Sequence, residues 1–455
     1  MDKLNTAETK YLSFTNFIRL KFWDYYTLSQ KSNIESKYDL VELSDVLTQR
    51  KESIIIDDSE IYKRCRVQIQ GKGVVLRDEV YGRDIKTKKQ QLCKEDDFLV
   101  AEIDAKVGGY GIVPRELNNA VVSGHYFLFE VNKNKLLPDF LGILVKCYEF
   151  SKQVKATGST NYAAIRPYHV LSYLIPLPSI VEQKKNVSAY NKKIKLAVEL
   201  EEKAVDIENS IEDYLYNELG LRKFDQRKNN SKLRTINFRE VERWAVDTLG
   251  KLLKIEEKFK GIYPLIKLRE FIVSYQYGLS EKSSTEKIGQ PMLRMNNIHN
   301  SDLDVTNLKY IEIDDPTFSK YKLTKGDLLF NRTNSKELVG KTALFNFNED
   351  FTFASYLIRV VIDNKKVDVK YINYLFNSSV LQYQKDLVSR QITGQANINA
   401  QEMQEFLFPL PPLSKQKEIV STIERMKNEI KKLKRQAEQN RIDAINDFEK
   451  EVFIT

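Results

Sequence analysis

Two stretches of the sequence combine arginine and amide side chains in a pattern suited to contacts with nucleic acid bases. In the stretch CRVQIQ (65–70) apolar and polar residues alternate strictly, which predicts a half-buried strand with Arg66, Gln68 and Gln70 on its open face. The comparable stretch in the second half, LRMNNI (293–298), again contains arginine and amides. These are the side chains that form bidentate hydrogen bonds with guanine and adenine.

A polar loop adds cationic and amide groups in the second half. The segment NRTNSK (331–336) directly follows the apolar run DLLF (327–330), and its side chains suit contacts with phosphates as well as bases. An ordinary solvated surface is the alternative for every one of these residues. The candidate DNA contacts are Arg64, Arg66, Gln68 and Lys72 in the first half and Arg294, Asn296, Arg332, Asn334 and Lys336 in the second half.

Motifs that would carry out catalysis are missing from the sequence. The glycines of KVGGYG (106–111) have neither the P-loop spacing nor the GxGxxG spacing that holds nucleotide phosphates. The only Pro-Pro pair, Pro411-Pro412, follows a leucine, so the Asn-Pro-Pro-aromatic tetrapeptide of amino-methyltransferases is absent. The first glutamate after Pro138-Asp139 is Glu149, which is followed by Phe150 and Ser151 and not by the x-Lys of a nuclease carboxylate set. We therefore expect a chain that is not itself an enzyme.

Composition limits the remaining classes of function. Lysine and arginine outnumber aspartate and glutamate by 72 to 63, giving a formal net charge of +9 that favours a polyanionic partner. No run of apolar residues is long enough to span a membrane, and the charged N-terminal sequence does not resemble a secretory leader. We expect a cytoplasmic protein without a metal site, since the cysteines and histidines share no metal-ligand spacing.

An internal repeat extends along most of the chain. Each match is short, but all occur in the same order in both halves, which is the signature of a duplicated architecture. The matching pairs are Asn16-Phe17 and Trp23 with Asn237-Phe238 and Trp244, YDLVEL (38–43) with YPLIKL (263–268), DFLV (97–100) with DLLF (327–330), YFL (126–128) with YLI (356–358), Thr157-Gly158 with Thr393-Gly394, and PLPSIVEQK (176–184) with PLPPLSKQK (409–417).

A long helix is predicted after each of the two proline-rich segments. Apolar residues recur there at alternating intervals of four and three in the second copy, and less regularly in the first, which favours a narrow coiled-coil seam. The two seams could bury each other in an antiparallel pair. The seam residues are Ile194, Ala197, Ala204, Ile211 and Leu215 in the first helix and Ile419, Ile423, Met426, Ile430 and Leu433 in the second helix.

These patterns predict an α+β fold with two tandem mixed α/β domains, each followed by a long helix. The predicted segments are an N-terminal domain at 1–180 with a helical lead-in at 1–36, a central helix at 181–220, a C-terminal domain at 221–413 with a linker and helical lead-in at 221–262, and a C-terminal helix at 414–455.

The chain resembles the specificity (S) subunit of a type I restriction-modification system. Such subunits mark the boundary between recognition domain and helix with an apolar-Pro-Leu-Pro-Pro-Leu-x-x-Gln motif, matched by FPLPPLSKQ (408–416) and, except at Ser179, by IPLPSIVEQ (175–183). KGDLL (325–329) and TGQAN (393–397) match two further family segments. The corresponding first-half segments, EDDFL (95–99) and TGSTN (157–161), are more divergent.

The resemblance implies a division of labour among subunits. Each target recognition domain would bind one half of a bipartite double-stranded DNA sequence, and the antiparallel helices would fix the gap between the halves. Two adenine methyltransferase subunits would supply S-adenosylmethionine chemistry, and two restriction subunits, where the system has them, would use ATP and Mg²⁺. None of these cofactors would bind this chain.

Three alternatives stay open on the sequence alone. The chain could serve a system in which methyltransferase and nuclease are fused, it could be a stand-alone enzyme acting on nucleic acid, or it could be a coiled-coil adaptor without sequence-specific DNA binding. The repeat with its proline-to-helix boundaries favours the specificity subunit over all three.

Overall fold

The computed structural model describes residues 34–154, 164–221, 261–299, 301–392 and 395–454. The chain divides into two compact units, Met1–Glu201 with Lys434–Thr455 and Glu202–Leu433. The predicted lead-ins at 1–36 and 221–262 lie almost entirely outside the described residues. The repeated Asn-Phe and tryptophan positions and both Thr-Gly dipeptides also lie outside them.

The described part of the first unit contains eleven strands in three sheets. β1 pairs with β11, β2-β10-β7-β8 form an antiparallel sheet, and β3-β6-β9-β4-β5 form a mixed sheet in which only β9 and β4 run parallel. The strands are β1 Leu40–Glu42, β2 Leu47–Arg50, β3 Ser53–Ile55, β4 Ile61–Gln68, β5 Gly73–Tyr81, β6 Lys89–Leu92, β7 Phe98–Ala101, β8 Tyr110–Ile112, β9 Val121–Val122, β10 Tyr126–Val131 and β11 Leu174–Pro176.

The second unit repeats part of this arrangement. β12 pairs with β25, β13-β22-β18-β20 form an antiparallel sheet, and smaller sheets are formed by β17-β14-β21, β15-β16 and β19-β24-β23. The strands are β12 Leu265–Lys267, β13 Ile272–Tyr277, β14 Gln290–Leu293, β15 Ile298–His299, β16 Asp302–Leu303, β17 Lys309–Ile311, β18 Leu328–Asn331, β19 Thr333–Asn334, β20 Thr342–Leu344, β21 Thr352–Phe353, β22 Leu357–Ile362, β23 Arg390–Ile392, β24 Gln395–Asn397 and β25 Leu407–Pro409.

Short helices cover the sheets, and one long helix follows each set of strands, so the predicted α+β fold class is confirmed. In the described part of the chain the α-helices are α1 Pro138–Leu144, α2 Tyr148–Ser151, α3 Pro167–Leu171, α4 Ile180–Glu218, α5 Asp315–Tyr321, α6 Val369–Asn377, α7 Ser379–Val388, α8 Ala400–Gln404 and α9 Leu413–Val452. The two long helices, α4 and α9, have 39 and 40 residues, and each contributes residues to both units.

The internal repeat is visible in strand pairing. Leu40 lies opposite Pro176 in the β1–β11 pair, and Leu265 lies opposite Pro409 in the β12–β25 pair. The central strands β7 and β18 are also equivalent: each is buried along its whole length and pairs with the next repeated strand, β10 or β22. Such continuous apolar runs are expected of strands covered on both faces.

The long helices run antiparallel to each other where they meet. Within the first unit, Arg441 of α9 forms an ion pair with Glu201 of α4 at 2.8 Å, and the ring of Phe448 lies 6.4 Å from that of Tyr190. Within the second unit, Lys415 near the start of α9 bonds Glu218 at the end of α4. Of the predicted seam residues, Ala197, Ala204, Leu215, Ile419, Ile423, Ile430 and Leu433 are buried, and Ile194, Ile211 and Met426 are half-buried.

A buried glutamine joins each long helix to the domain before it. Gln416 accepts a hydrogen bond from the Asp368 backbone N–H at 2.9 Å and donates to the Pro411 carbonyl at 2.8 Å. Gln183 accepts from the Leu137 N–H at 2.8 Å in the same manner. Asp368 and Leu137 are the residues that cap α6 and α1. The glutamine of the proline-rich motif is therefore a structural clamp between two helix starts.

We predict that Gln416→Leu destabilises the second unit by about 1–3 kcal/mol, because a buried N–H and a buried carbonyl lose their partners. Hydrogen exchange at the Asp368 amide should accelerate, and the urea midpoint of this unit should fall. Gln436→Leu is the matched control, since Gln436 is an exposed residue of the same helix. Unchanged protection of the Asp368 amide in the Gln416 variant would contradict the clamp.

Candidate nucleic-acid interface

The strand predicted in the first half is present as β4, which contains Arg64, Arg66 and Gln68, three of the four candidate contacts of that half. Cys65 and Val67 are buried, Arg66 is exposed and Gln68 is half-buried, so polar side chains occupy the open face of the strand. The strand ends at Gln68, however, and Gln70 lies in the following turn with a φ of +63°. The chain thus turns back two residues earlier than strict alternation to residue 70 suggested.

Glycines in the segment KVGGYG support the turn between β4 and β5. The Gln70 N–H donates to the Val107 carbonyl at 2.6 Å, and the Gly71 N–H donates to the Gly108 carbonyl at 3.0 Å. A Cβ added at Gly108 would lie only 2.7 Å from the Gly71 nitrogen, so the two backbones can approach only because a side chain is absent. These glycines position a hairpin whose tip exposes Lys72.

The two arginines of β4 differ in whether the guanidinium group is already paired with a carboxylate. Arg64 makes a two-point hydrogen bond with Asp78 on β5, at 2.6 and 2.7 Å. This pair raises the pKa of the Arg64 guanidinium and lowers the pKa of the Asp78 carboxyl. Arg66 has no ion-pair partner within the described ranges. Arg66 is therefore available for a polyanion, whereas the fork of Arg64 is already occupied by the neighbouring strand.

The stretch 293–298 does not continue as a strand, unlike its counterpart in β4. β14 ends at Leu293, and Met295–Asn297 form a 3-10 turn. The buried Asn297 side chain causes this turn, because its Oδ1 accepts from the Arg294 N–H at 2.9 Å and its Nδ2 donates to the Asp304 carbonyl at 2.8 Å. The segment therefore offers no strand face like that of β4, and Arg294 and Asn296 are not aligned along one.

Arg294 and Asn296 differ in exposure within this turn. The Arg294 Nη2 donates to the Asn307 carbonyl at 3.3 Å, so the guanidinium bridges two segments of the same unit. Asn296 is exposed, and its carbonyl lies 2.8 Å from the His299 imidazole Nε2. Only Asn296 presents its side chain openly to solvent.

The segment predicted as a polar loop is partly strand, because Thr333 and Asn334 form β19 and pair with β24. Arg332 lies between β18 and β19, against an aromatic ring. The Arg332 guanidinium lies 4.9 Å from the centre of the Tyr277 ring, a cation–π distance. Its backbone N–H donates to the Tyr356 carbonyl at 3.0 Å, and its carbonyl accepts from the Ile398 N–H at 2.9 Å. Backbone pairing thus fixes Arg332 between Tyr356, the residue before β22, and Ile398, which follows β24, beside the exposed tyrosines Tyr277 and Tyr356.

Asn334 and Lys336, the other two candidates of this segment, have different surroundings. Asn334 accepts a hydrogen bond from the Ser335 N–H at 2.8 Å, and Lys336 is exposed. Beneath the loop, Gly340 has a φ of +77°, and a Cβ added there would lie 2.6 Å from the Lys385 side chain. Lys385 is fully buried and donates to the Phe376 carbonyl. Burial lowers the pKa of Lys385 to about 7.

Aromatic residues near the arginines are functional candidates that the sequence analysis missed. Tyr126 and Tyr356 occupy equivalent positions, at or next to the start of β10 and β22. Burial raises the pKa of Tyr126, while the nearby guanidinium groups of Arg77 and Arg66 oppose that rise. A tyrosine thus lies near a candidate arginine in each unit. The repeat had already paired these two tyrosines, and that was the signal available in the sequence.

The described residues contain no cluster of three or more His, Cys, Asp or Glu side chains able to hold a metal ion. Across the same residues, none of the helices combines the length and apolarity that crossing a membrane requires.

Comparison with known families identifies the chain. A model described as the type I restriction modification DNA specificity domain matches residues 35–212 and again residues 244–441. These two matches together cover well over half of the sequence. The chain belongs to this DNA specificity family, as the sequence analysis predicted.

Two curated relatives are similar over part of their length. The putative type I restriction enzyme MjaX specificity subunit of Methanocaldococcus jannaschii is 30% identical over 173 residues, which cover 38% of this chain and 41% of that protein. The type I restriction enzyme EcoKI specificity subunit of Escherichia coli K12 is 26% identical over 183 residues, 39% of each chain. The matched region thus spans about two fifths of either relative.

Comparison with solved structures finds one match that supports the fold. A chain from work on complex assembly and conformational transition of the type I R-M system matches with a TM-score of 0.54 at 17% identity, covering 91% of this chain and 96% of that one. The HsdS subunit from Thermoanaerobacter tengcongensis matches at 18% identity with a TM-score of 0.40, covering 90% and 95%.

We predict different outcomes for two neighbouring arginines of β4. Arg66→Ala should weaken DNA binding with little effect on stability, because its exposed guanidinium has no partner within the described residues. Arg64→Ala should instead lower the thermal midpoint of the first unit, since Asp78 loses a two-point bond. Fluorescence anisotropy with duplex DNA and thermal melting would separate the two effects. Equal losses of DNA binding in both variants, at unchanged stability, would contradict this assignment.

Proposed function

We propose that this chain is the DNA-specificity subunit of a type I restriction-modification complex and that each unit recognises one half of a bipartite target. One observation carries the proposal: the specificity-domain model matches once in each half. The strand pairs β1–β11 and β12–β25 support the same duplication, because each has the same register before its long helix. A duplicated binding unit suits a target made of two half-sites.

Electrostatics and side-chain chemistry support DNA as the ligand. The chain carries a formal net charge of +9, which attracts a polyanion over long range. Arg66 on β4 and the Arg332–Tyr277 pair after β18 combine a cation with nearby polar or aromatic surface. Guanidinium groups can bond guanine edges in the major groove, and exposed lysines such as Lys72 and Lys336 suit phosphates.

We further propose that α4 and α9 set the gap between the half-sites. Each helix contributes residues to both units, and the Arg441–Glu201 ion pair fixes their register within the first unit. A helix rises 1.5 Å per residue, and DNA advances 3.4 Å per base pair. A change in helix length would therefore be expressed as a change in base-pair spacing.

Catalysis in the complex would belong to partner subunits. Two adenine methyltransferase subunits would bring S-adenosylmethionine, and restriction subunits, where the system includes them, would bring ATP and Mg²⁺. This chain would contribute sequence recognition and would hold none of these cofactors. The names of the MjaX and EcoKI specificity subunits, each a type I restriction enzyme component, favour such partners.

Genomic N6-methyladenine provides the direct test of this function. The native host would be sequenced with and without this gene by a method that detects the modified base. We expect a bipartite motif whose methylation disappears with the gene, which would give both half-sites and the gap together. An unchanged methylome, despite an expressed partner methyltransferase, would reject sequence recognition and favour the coiled-coil adaptor.

We predict that lengthening the helix pair changes only the gap in the target. Four residues would be inserted in α4 between Ala197 and Glu202 and four in α9 beside Arg441, which opposes Glu201. Each insertion adds roughly 6 Å, or about two base pairs, and four-residue insertions are tolerated by coiled coils. The methylated motif should keep both half-sites. Four residues inserted in the exposed turn between Asn348 and Glu349 should leave the gap unchanged. Altered half-sites would refute the spacing role.

A further inference from the structure

The first unit has a groove where the start of α4 meets the start of α1. Its volume is about 500 Å³. Helix α4 lines one side with residues spaced three, four and seven apart, so that they lie on one helical face. The lining consists of Asp96, Leu137, Pro138 and Asp139 together with Lys184, Val187, Ser188 and Asn191.

The second unit has a corresponding groove where the start of α9 meets the start of α6. Its volume is about 440 Å³. Helix α9 again contributes residues spaced three, four and seven apart. The lining consists of Asn364, Asp368, Val369 and Lys370 together with Leu413, Lys417, Val420, Ser421 and Glu424.

Three groove positions are identical in the two helices. Counted from the buried clamp glutamine, Gln183 or Gln416, a lysine follows at the first position, a valine at the fourth and a serine at the fifth. In each groove the valine is buried and forms the floor, whereas the lysine and the serine are exposed. The identical pairs are Lys184 with Lys417, Val187 with Val420 and Ser188 with Ser421.

Internal packing does not account for the identical lysines and serines. Neither Lys184 nor Lys417 has an ion-pair partner in the parts of the chain that the structure describes. The next residue along the helix differs completely in charge, since Lys185 in the first copy corresponds to Glu418 in the second. The exposed lysine and serine are therefore the same in both helices although a neighbouring position reverses its charge. This indicates that a partner outside the chain requires the same side chains in both halves.

We infer that the two grooves are equivalent docking sites, each taking one copy of the same segment of the partner methyltransferase. This inference rests on the proposed function. An apolar side chain of the partner would contact the valine floor, and a carboxylate would pair with the unpartnered lysine at its rim. Charge complementarity selects a partner segment that carries an acidic residue beside an apolar one. DNA is disfavoured as the occupant, because Asp96 and Asp139 or Asp368 and Glu424 lie in the same grooves.

The test uses charge reversal in the complex with the methyltransferase subunit of the same system. Lys184→Glu and Lys417→Glu place a like charge against the partner carboxylate, and each should weaken binding of one copy about tenfold or more. Native mass spectrometry should then detect the loss of one methyltransferase copy in either single variant and of both in the double variant. Lys185→Glu is the matched control, because the second copy already has glutamate at the equivalent position, and it should leave both copies bound.

The outcomes separate this inference from the proposed function. If the unaltered chain binds two methyltransferase copies and the double variant still binds both with equal affinity, the grooves are not the docking sites. If the unaltered chain binds none, the proposed partnership itself fails. Anisotropy with the chain's own target DNA should be unchanged in all variants; a loss of DNA affinity in the Lys184 and Lys417 variants alone would assign the grooves to DNA and overturn the inference.

Discussion

The buried amide of Gln183 and Gln416 is the interaction on which the repeated architecture depends. Each side chain is less than 2% exposed and bonds the backbone at the start of a short helix in the preceding domain. Loss of these partners would leave a buried amide without hydrogen bonds and would lower the free energy of unfolding. The position and direction of each long helix relative to its own domain are therefore set by hydrogen bonds of fixed geometry rather than by apolar contact alone.

Features governed by local sequence were predictable. The alternation in β4 predicted the burial of Cys65 and Val67, and the four-three spacing in α9 predicted the burial of Ile419 and Ile423. Both patterns reflect one element burying one face, and the period of the element appears directly in the sequence. The order of the repeat likewise predicted which strands would be equivalent, because duplication preserves order even where side chains diverge.

Features governed by contacts distant in sequence were not predictable. The turn at 295–297 forms because the Asn297 amide is satisfied by the Asp304 carbonyl, a partner that no periodicity reveals. Gly108 of KVGGYG is likewise required because the backbone of the β4–β5 turn comes too close to leave room for a side chain. Tyr277 was missed as a neighbour of Arg332 because Tyr277 ends β13 and Arg332 lies between β18 and β19, far apart in the chain. In the last two cases the deciding partner is tertiary, and in the first it is a side-chain hydrogen bond that no periodicity reveals.

The two halves of the chain differ at the candidate DNA contacts but agree at the grooves. Under the proposed function, half-sites of different sequence would demand different side chains, and the candidate contacts do differ: Arg66 lies on a strand face, whereas Arg332 lies between two strands beside an aromatic ring. Two copies of one partner, as inferred for the grooves, would demand the same side chains, and the lysine, valine and serine of the grooves recur at the same helical spacing. A shared partner docked in both grooves, as inferred above, would account for the agreement at these exposed positions. Where the halves differ, each would be free to recognise its own bases under the proposed function.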